Sequence, residues 1–132
     1  MNTSLWFEQA TSPVRVFDGP LDTDLDVDLA IVGGGFTGLW TAYYVNQLDP
    51  HCRIAILESE FVGFGASGRN GGWVSALFPA YFTALARTTS RDAARRMHQA
   101  MVTNISDLGR VAATHNWKID WAHGGTVIAA RS

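Results

Sequence analysis

The chain has 132 residues, with ten Lys and Arg against twelve Asp and Glu and 47% hydrophobic residues, the balance of an ordinary globular unit. No basic cluster interleaves with aromatics to track phosphates, so nucleic acid is not expected as a partner. Apolar runs stay well under the ~20 residues that cross a bilayer, and the stretch from Met1 to Glu8 lacks the regions of a secretory signal, so no membrane span and a cytoplasmic location are expected.

Residues 1–26 contain Pro13, Gly19, Pro20 and several scattered aspartates, show little periodicity, and are expected to form an irregular lead-in. Val27 to Val32 is a β-branched-rich run ending in Gly33-Gly34-Gly35, which reads as a strand entering a tight turn. Leu39, Trp40, Ala42, Tyr43 and Val45 then follow helical spacing until Asp49-Pro50 stops the helix. Arg53 to Glu58 is a second strand, continuously apolar as in a parallel sheet covered on both faces. Cys52 is the single cysteine, which excludes an intrachain disulfide, and it reads as a small packing residue at this strand's start. A long glycine-rich stretch follows between Phe61 and Trp73, and loops of that length in compact domains usually serve function. Trp73 after it reads as a core aromatic. Ser90 is an expected N-cap, with Met97, Met101, Ile105, Leu108 and Ala112 on one face of a long helix ending near Asn116. Two short β-prone runs, Trp117 to Trp121 and Thr126 to Ala129, flank Gly124-Gly125 and predict a β-hairpin.

Gly33-Gly34-Gly35-Phe36-Thr37-Gly38 satisfies G-x-G-x-x-G after a strand and at the start of a helix, the context that gives the pattern meaning. Gly33 permits the turn, Gly35 lets backbone approach a pyrophosphate, and Gly38 lets helix and strand pack closely. The helix N-terminus supplies unpaired N–H groups and a partial positive charge for the phosphates. Glu58, at the end of the second strand, stands near the ~20-residue offset of a ribose-binding acid. Its charge would repel a 2′-phosphate, which disfavours NADP. Strand, helix and strand form a βαβ unit. The expected fold class is therefore α/β, a Rossmann-like FAD/NAD(P)-binding domain, incomplete, spanning residues 27–132 with a long helix and a C-terminal hairpin.

The fingerprint alone does not separate FAD from NAD. The second segment, Gly65-Ala66-Ser67-Gly68-Arg69-Asn70-Gly71-Gly72, resembles the second flavin-contacting motif of the D-amino-acid oxidase-like FAD oxidoreductases, with the likeness strongest to bacterial members such as the gamma-glutamylputrescine oxidases. Its physical character agrees, because backbone amides in a Gly/Ser/Asn loop form a nest for anionic oxygens. Ser67 is expected to donate through its hydroxyl and Asn70 through side chain or backbone. Arg69 is expected at the pyrophosphate or the reduced flavin ring. The resemblance implies FAD as cofactor and oxidation of a C–N bond in an amine or amino acid, with hydride passing to the flavin and O2 or another acceptor reoxidising it. Some relatives tether flavin through a His where this chain has Arg69, so noncovalent FAD is expected. The four histidines show no metal-ligand spacing, no metal is expected, and no catalytic residue is assigned. The substrate domain is expected to lie outside these residues, which alone are not expected to make a working enzyme. Three alternatives stay open: a nicotinamide-dependent dehydrogenase, another two-domain flavoprotein such as a monooxygenase or dehydrogenase, and a non-catalytic nucleotide-binding fragment.

Overall fold

A computed structural model describes residues 4–9, 19–127 and 129. The chain divides into two compact units, Met1–Gly71 and Gly72–Ser132.

The first unit is built on strand β1 (Leu29–Val32), helix α2 (Phe36–Leu48) and strand β2 (Ile54–Leu57). β1 and β2 pair in parallel, Leu29 against Ile54 through Val32 against Leu57, and the Gly33 amide extends the ladder to Leu57 O at 2.7 Å. Gly33 then turns the chain with φ of 101°, a conformation that costs glycine little. Gly38, on the first turn of α2, is buried. A side chain there would strike the Gly33 carbonyl and come within 3.2 Å of Ile31 Cγ2, so its missing Cβ is what lets α2 lie close against β1.

The two strands differ in burial: along β2, Ile54, Ala55 and Ile56 are all half-buried and Leu57 is exposed. Along β1, Leu29 and Ile31 are half-buried and alternate with exposed Ala30 and Val32, and Val32 is 87% exposed. Alternation of this kind is the pattern of a sheet with one covered face, and α2 is the helix packed on these strands. The lead-in is also less irregular than expected. Leu5–Gln9 form a short helix, α1, whose Phe7 ring meets Phe61 edge to face at 5.0 Å.

The second unit contains α3 (Phe82–Thr88), which the sequence pattern does not announce, and α4 (Arg91–Thr114), packed against each other. Ser90 caps α4 by accepting the Ala93 amide on its hydroxyl at 3.1 Å, as expected of an N-cap. At the other end Asn116 adopts φ of 52°. The Asn116 and Trp117 amides donate back to Ala113 O and Ala112 O, the paired bonds of a Schellman ending. On the expected apolar face, Ala112 is buried while Met97 is 41% exposed. Met101, Ile105 and Leu108 are half-buried.

The predicted hairpin does not form among the described residues. Residues 117–127 contain no strand, and the second arm runs partly outside the described residues at Ile128. The favoured two-residue hairpin turns need positive φ at the first central position, and in type I′ at both, whereas of Gly124 and Gly125 only the second has it. Trp121 instead lies over α4, where a Cβ on Gly109 would be 2.8 Å from its Nε1.

One ion pair ties the entry of β1 to that of β2. Arg53 grips Asp28 through Nε to Oδ2 at 3.0 Å and Nη2 to Oδ1 at 2.9 Å. These hydrogen bonds hold the Asp28 carboxyl at about 2, down from an ordinary 3.8. Both side chains remain about half exposed, 57% and 48%, so the pair contributes little at neutral pH. Because the folded value is the lower one, the stabilisation is complete above 3.8 and disappears as pH falls toward 2. Thermal unfolding followed across that range should show a shallower acid loss for Asp28→Asn than for the wild type; identical slopes would remove Asp28 from the account.

Candidate functional site

The N-terminus of α2 and the second glycine segment meet within the first unit. Helix geometry leaves the first amides of α2 without intrahelical acceptors. The Phe36 amide donates to Ser67 Oγ at 2.9 Å, while those of Thr37 and Gly38 have no acceptor among the described residues. No acidic residue stands in the first turn of α2. Gly35 precedes the helix with φ of −86°, a value open to any residue, so what a side chain there would disturb is the position of Ser67. A Cβ on Gly35 would sit 2.9 Å from Ser67 Oγ.

The second segment is more ordered than a loose loop. Ala66–Gly68 form a 3₁₀ turn, with Gly68 N donating to Gly65 O and Arg69 N to Ala66 O. Asn70 closes it by donating from Nδ2 to Ser67 O at 2.7 Å. Gly63, at φ of 79°, donates its amide to Gly34 O at 3.0 Å and so ties the residues just before the second segment to the first. Ser67 thus accepts where the sequence pattern led to a donor, and its own hydroxyl proton remains available to a further acceptor. Arg69 lies over the Phe64 ring, 4.4 Å from the centroid, a cation–π contact.

Glu58 follows β2. Its Oε2 accepts the Gly34 amide at 2.8 Å, and Oε1 accepts the Glu60 amide at 3.2 Å. The Gly34 hydrogen bond is the main cause, and the Glu60 one the next, of a carboxyl held below the ordinary carboxylate range. The charged form is therefore fixed beside the turn that precedes α2.

The structure accordingly brings Gly33, Gly34, Gly35, Phe36, Thr37, Gly38 and Glu58 together with Ser67 and its neighbours Gly65, Ala66, Arg69 and Asn70; Gly71 ends the first unit. Gly72 opens the second unit, with φ of 73°. Trp73, expected in a core, is 94% exposed. Sequence reasoning missed α1 at this site: Trp6 Nε1 donates to Asn70 O at 2.7 Å, and Phe7 lies against Gly63 and Gly68. The available signal was the adjacent aromatic pair Trp6-Phe7. No cluster of metal-binding side chains occurs among the described residues, and no helix among them is long and apolar enough to cross a membrane.

The family model for FAD dependent oxidoreductases (DAO) matches residues 28–132, a stretch that contains both glycine segments and Glu58. The chain belongs to this family. It is 27% identical over 128 residues to gamma-glutamylputrescine oxidoreductase of Escherichia coli (strain K12), covering 97% of this chain and 29% of that protein. It is 46% identical over 43 residues to sarcosine oxidase subunit beta of Rhizobium meliloti (strain 1021), covering 33% of this chain and 10% of that protein. A thiamine thiazole synthase of Schizosaccharomyces pombe (strain 972 / ATCC 24843) is 35% identical over 63 residues, 48% of this chain and 19% of that protein. The chain thus spans under a third of the length of these relatives. No solved structure matches it. Membership in a family of FAD dependent oxidoreductases makes FAD the cofactor.

The approach of Ser67 to Gly35 predicts a specific coupling. Gly35→Ala should destabilise the full-length protein by ~1–3 kcal/mol, the usual cost of overpacking. Adding Ser67→Ala, which removes the opposing oxygen, should recover most of that loss. Strict additivity of the two substitutions in a thermal-unfolding cycle would show that they do not touch.

Proposed function

We infer that the two glycine segments hold the diphosphate and adenosine ribose of FAD in an enzyme that oxidises C–N bonds of small amines or amino acids. The observation that carries this is the contact of the Ser67 hydroxyl with the Phe36 amide. It sets a side chain of the second motif at the N-terminus of α2, where the fingerprint concentrates amide donors. The donors suit the group: unpaired amides of Thr37 and Gly38 beside a helix dipole stabilise an anion without a basic side chain. The absence of an acid in the first turn removes a source of repulsion.

In this reading Thr37 and Gly38 donate backbone N–H to phosphate oxygens, and Ser67 turns its hydroxyl proton to the same group. Glu58 keeps its charge through Gly34 and accepts hydrogen bonds from ribose hydroxyls. Gly65 and Gly71 carry no side chain and Ala66 only a methyl group beside the cofactor, and Asn70 holds the Ser67 backbone. Arg69 balances negative charge on the diphosphate or the reduced ring. When bound, FAD supplies the two-electron acceptor for a hydride leaving the carbon that bears the nitrogen, and O2 or another acceptor takes those electrons on. Residues 27–132 are assigned to the N-terminal part of the FAD-binding domain, with substrate-binding side chains elsewhere in the protein. The C–N oxidation rests on family membership together with the names of the putrescine and sarcosine relatives. The thiazole synthase similarity is a reason to test the reaction separately from the cofactor, since a shared nucleotide fold does not fix chemistry.

With Arg69 at the position of a tethering histidine, acid precipitation of the yellow full-length protein should release FAD into the supernatant. Flavin retained in the pellet would contradict noncovalent binding. A panel of amines and amino acids should then include compounds that bleach the flavin anaerobically and produce peroxide in air; a flavoprotein inert to the whole panel would overturn the C–N assignment and leave the cofactor site intact.

A further inference from the structure

We propose that α1 is a positioning element for the cofactor site, with Trp6 and Phe7 fixing the second glycine segment against the N-terminus of α2. The proposal rests on the FAD site described above and adds to it two residues outside both glycine motifs.

A helix of five residues has too few internal hydrogen bonds to persist alone, so its docking determines its position. That docking falls on the second glycine segment in two ways. The Trp6 indole N–H donates to Asn70 O at 2.7 Å, Asn70 Nδ2 donates to Ser67 O at 2.7 Å, and Ser67 Oγ accepts from Phe36 N at 2.9 Å. This relay joins α1 to the first residue of α2 through the serine that faces the anion site. Phe7 acts by shape. Its Cε2 would stand 2.7 Å from a Cβ at Gly68, and its Cζ 3.5 Å from one at Gly63, so the ring fills space that those glycines leave open. Phe7 also starts a row of rings, meeting Phe61 at 5.0 Å, which meets Phe64 at 5.2 Å, and Phe64 lies beneath the Arg69 guanidinium. The aromatic pair thereby sets both polar side chains of the segment, Ser67 through hydrogen bonds and Arg69 through the ring row.

The test uses full-length protein stripped of flavin, with FAD affinity from flavin fluorescence, unfolding temperature of the apoprotein, and visible circular dichroism of the reloaded flavin. Trp6→Phe keeps a ring and removes the donor, and should weaken FAD about five-fold, the effect of one hydrogen bond. Phe7→Ala should weaken it about ten-fold or more, and Phe7→Tyr, which restores the ring, should return near wild-type affinity. All three should change the flavin dichroism in proportion to lost affinity while Trp6→Phe leaves the apoprotein unfolding temperature in place. Gly35→Val serves as the control for the site itself. If it abolishes FAD binding while the Trp6 and Phe7 variants bind and signal like wild type, α1 has no positioning role and the site stands. If lowered unfolding temperature accounts for every loss and the dichroism is unchanged, α1 is only structural and the proposal fails. If the wild type takes up no FAD, the site assignment itself fails and the proposal falls with it.

Discussion

Two backbone stretches can approach within hydrogen-bonding distance only where side chains do not intervene, and the first unit is organised around one such approach. The amide of Phe36 and the hydroxyl of Ser67 meet at 2.9 Å, and a Cβ on Gly35 would press on that same hydroxyl. A second crossing, Gly63 N to Gly34 O at 3.0 Å, ties the chain just before the second segment to the same glycine turn. The glycines therefore serve different ends. Gly33 supplies a left-handed turn, Gly38 admits the strand, Gly35 admits a serine, and Gly68 admits the ring of Phe7.

Electrostatics in this corner come chiefly from backbone. The first turn of α2 has no charged side chain, so the amide dipoles act unopposed. Glu58 stands one turn away as an anion whose charge is stabilised by the Gly34 and Glu60 amides. Amide donors at the start of α2 and the carboxylate of Glu58 are thus separated along the chain yet anchored to the same glycine run. Arg69 is the exception, a guanidinium resting on an aromatic face, with no carboxylate partner among the described residues.

The βαβ unit was legible because strand, glycine turn and helix each carry a local signature: Leu29 to Val32 is continuously apolar, Gly33 needs positive φ, and Gly38 follows at the spacing of one helical turn. The caps of α4 were legible for the same reason, since Ser90 and Asn116 act through their own backbone neighbourhoods. What depended on distant chain was not. Periodicity does not reveal that Val32 faces solvent, since exposure is decided by which layer covers the strand. Gly124-Gly125 has the composition of a hairpin turn, yet only one of its residues takes the required φ. In the site, the G-x-G-x-x-G spacing identified the first glycine segment and Glu58, and the family resemblance the second segment, but neither revealed their mutual contact. Ser67 became an acceptor for Phe36, and Trp6 and Phe7 entered from a stretch with little periodicity.

The central claim is that both glycine segments form a single diphosphate site for FAD. Hydrogen exchange of the full-length protein with and without FAD addresses it directly, since amides that donate to a ligand are protected when it binds. The account predicts new protection in residues 33–38 and 65–72 together, with the Thr37 and Gly38 amides slowed most. Protection confined to other regions, with both segments exchanging as fast in the holoprotein as in the apoprotein, would contradict it.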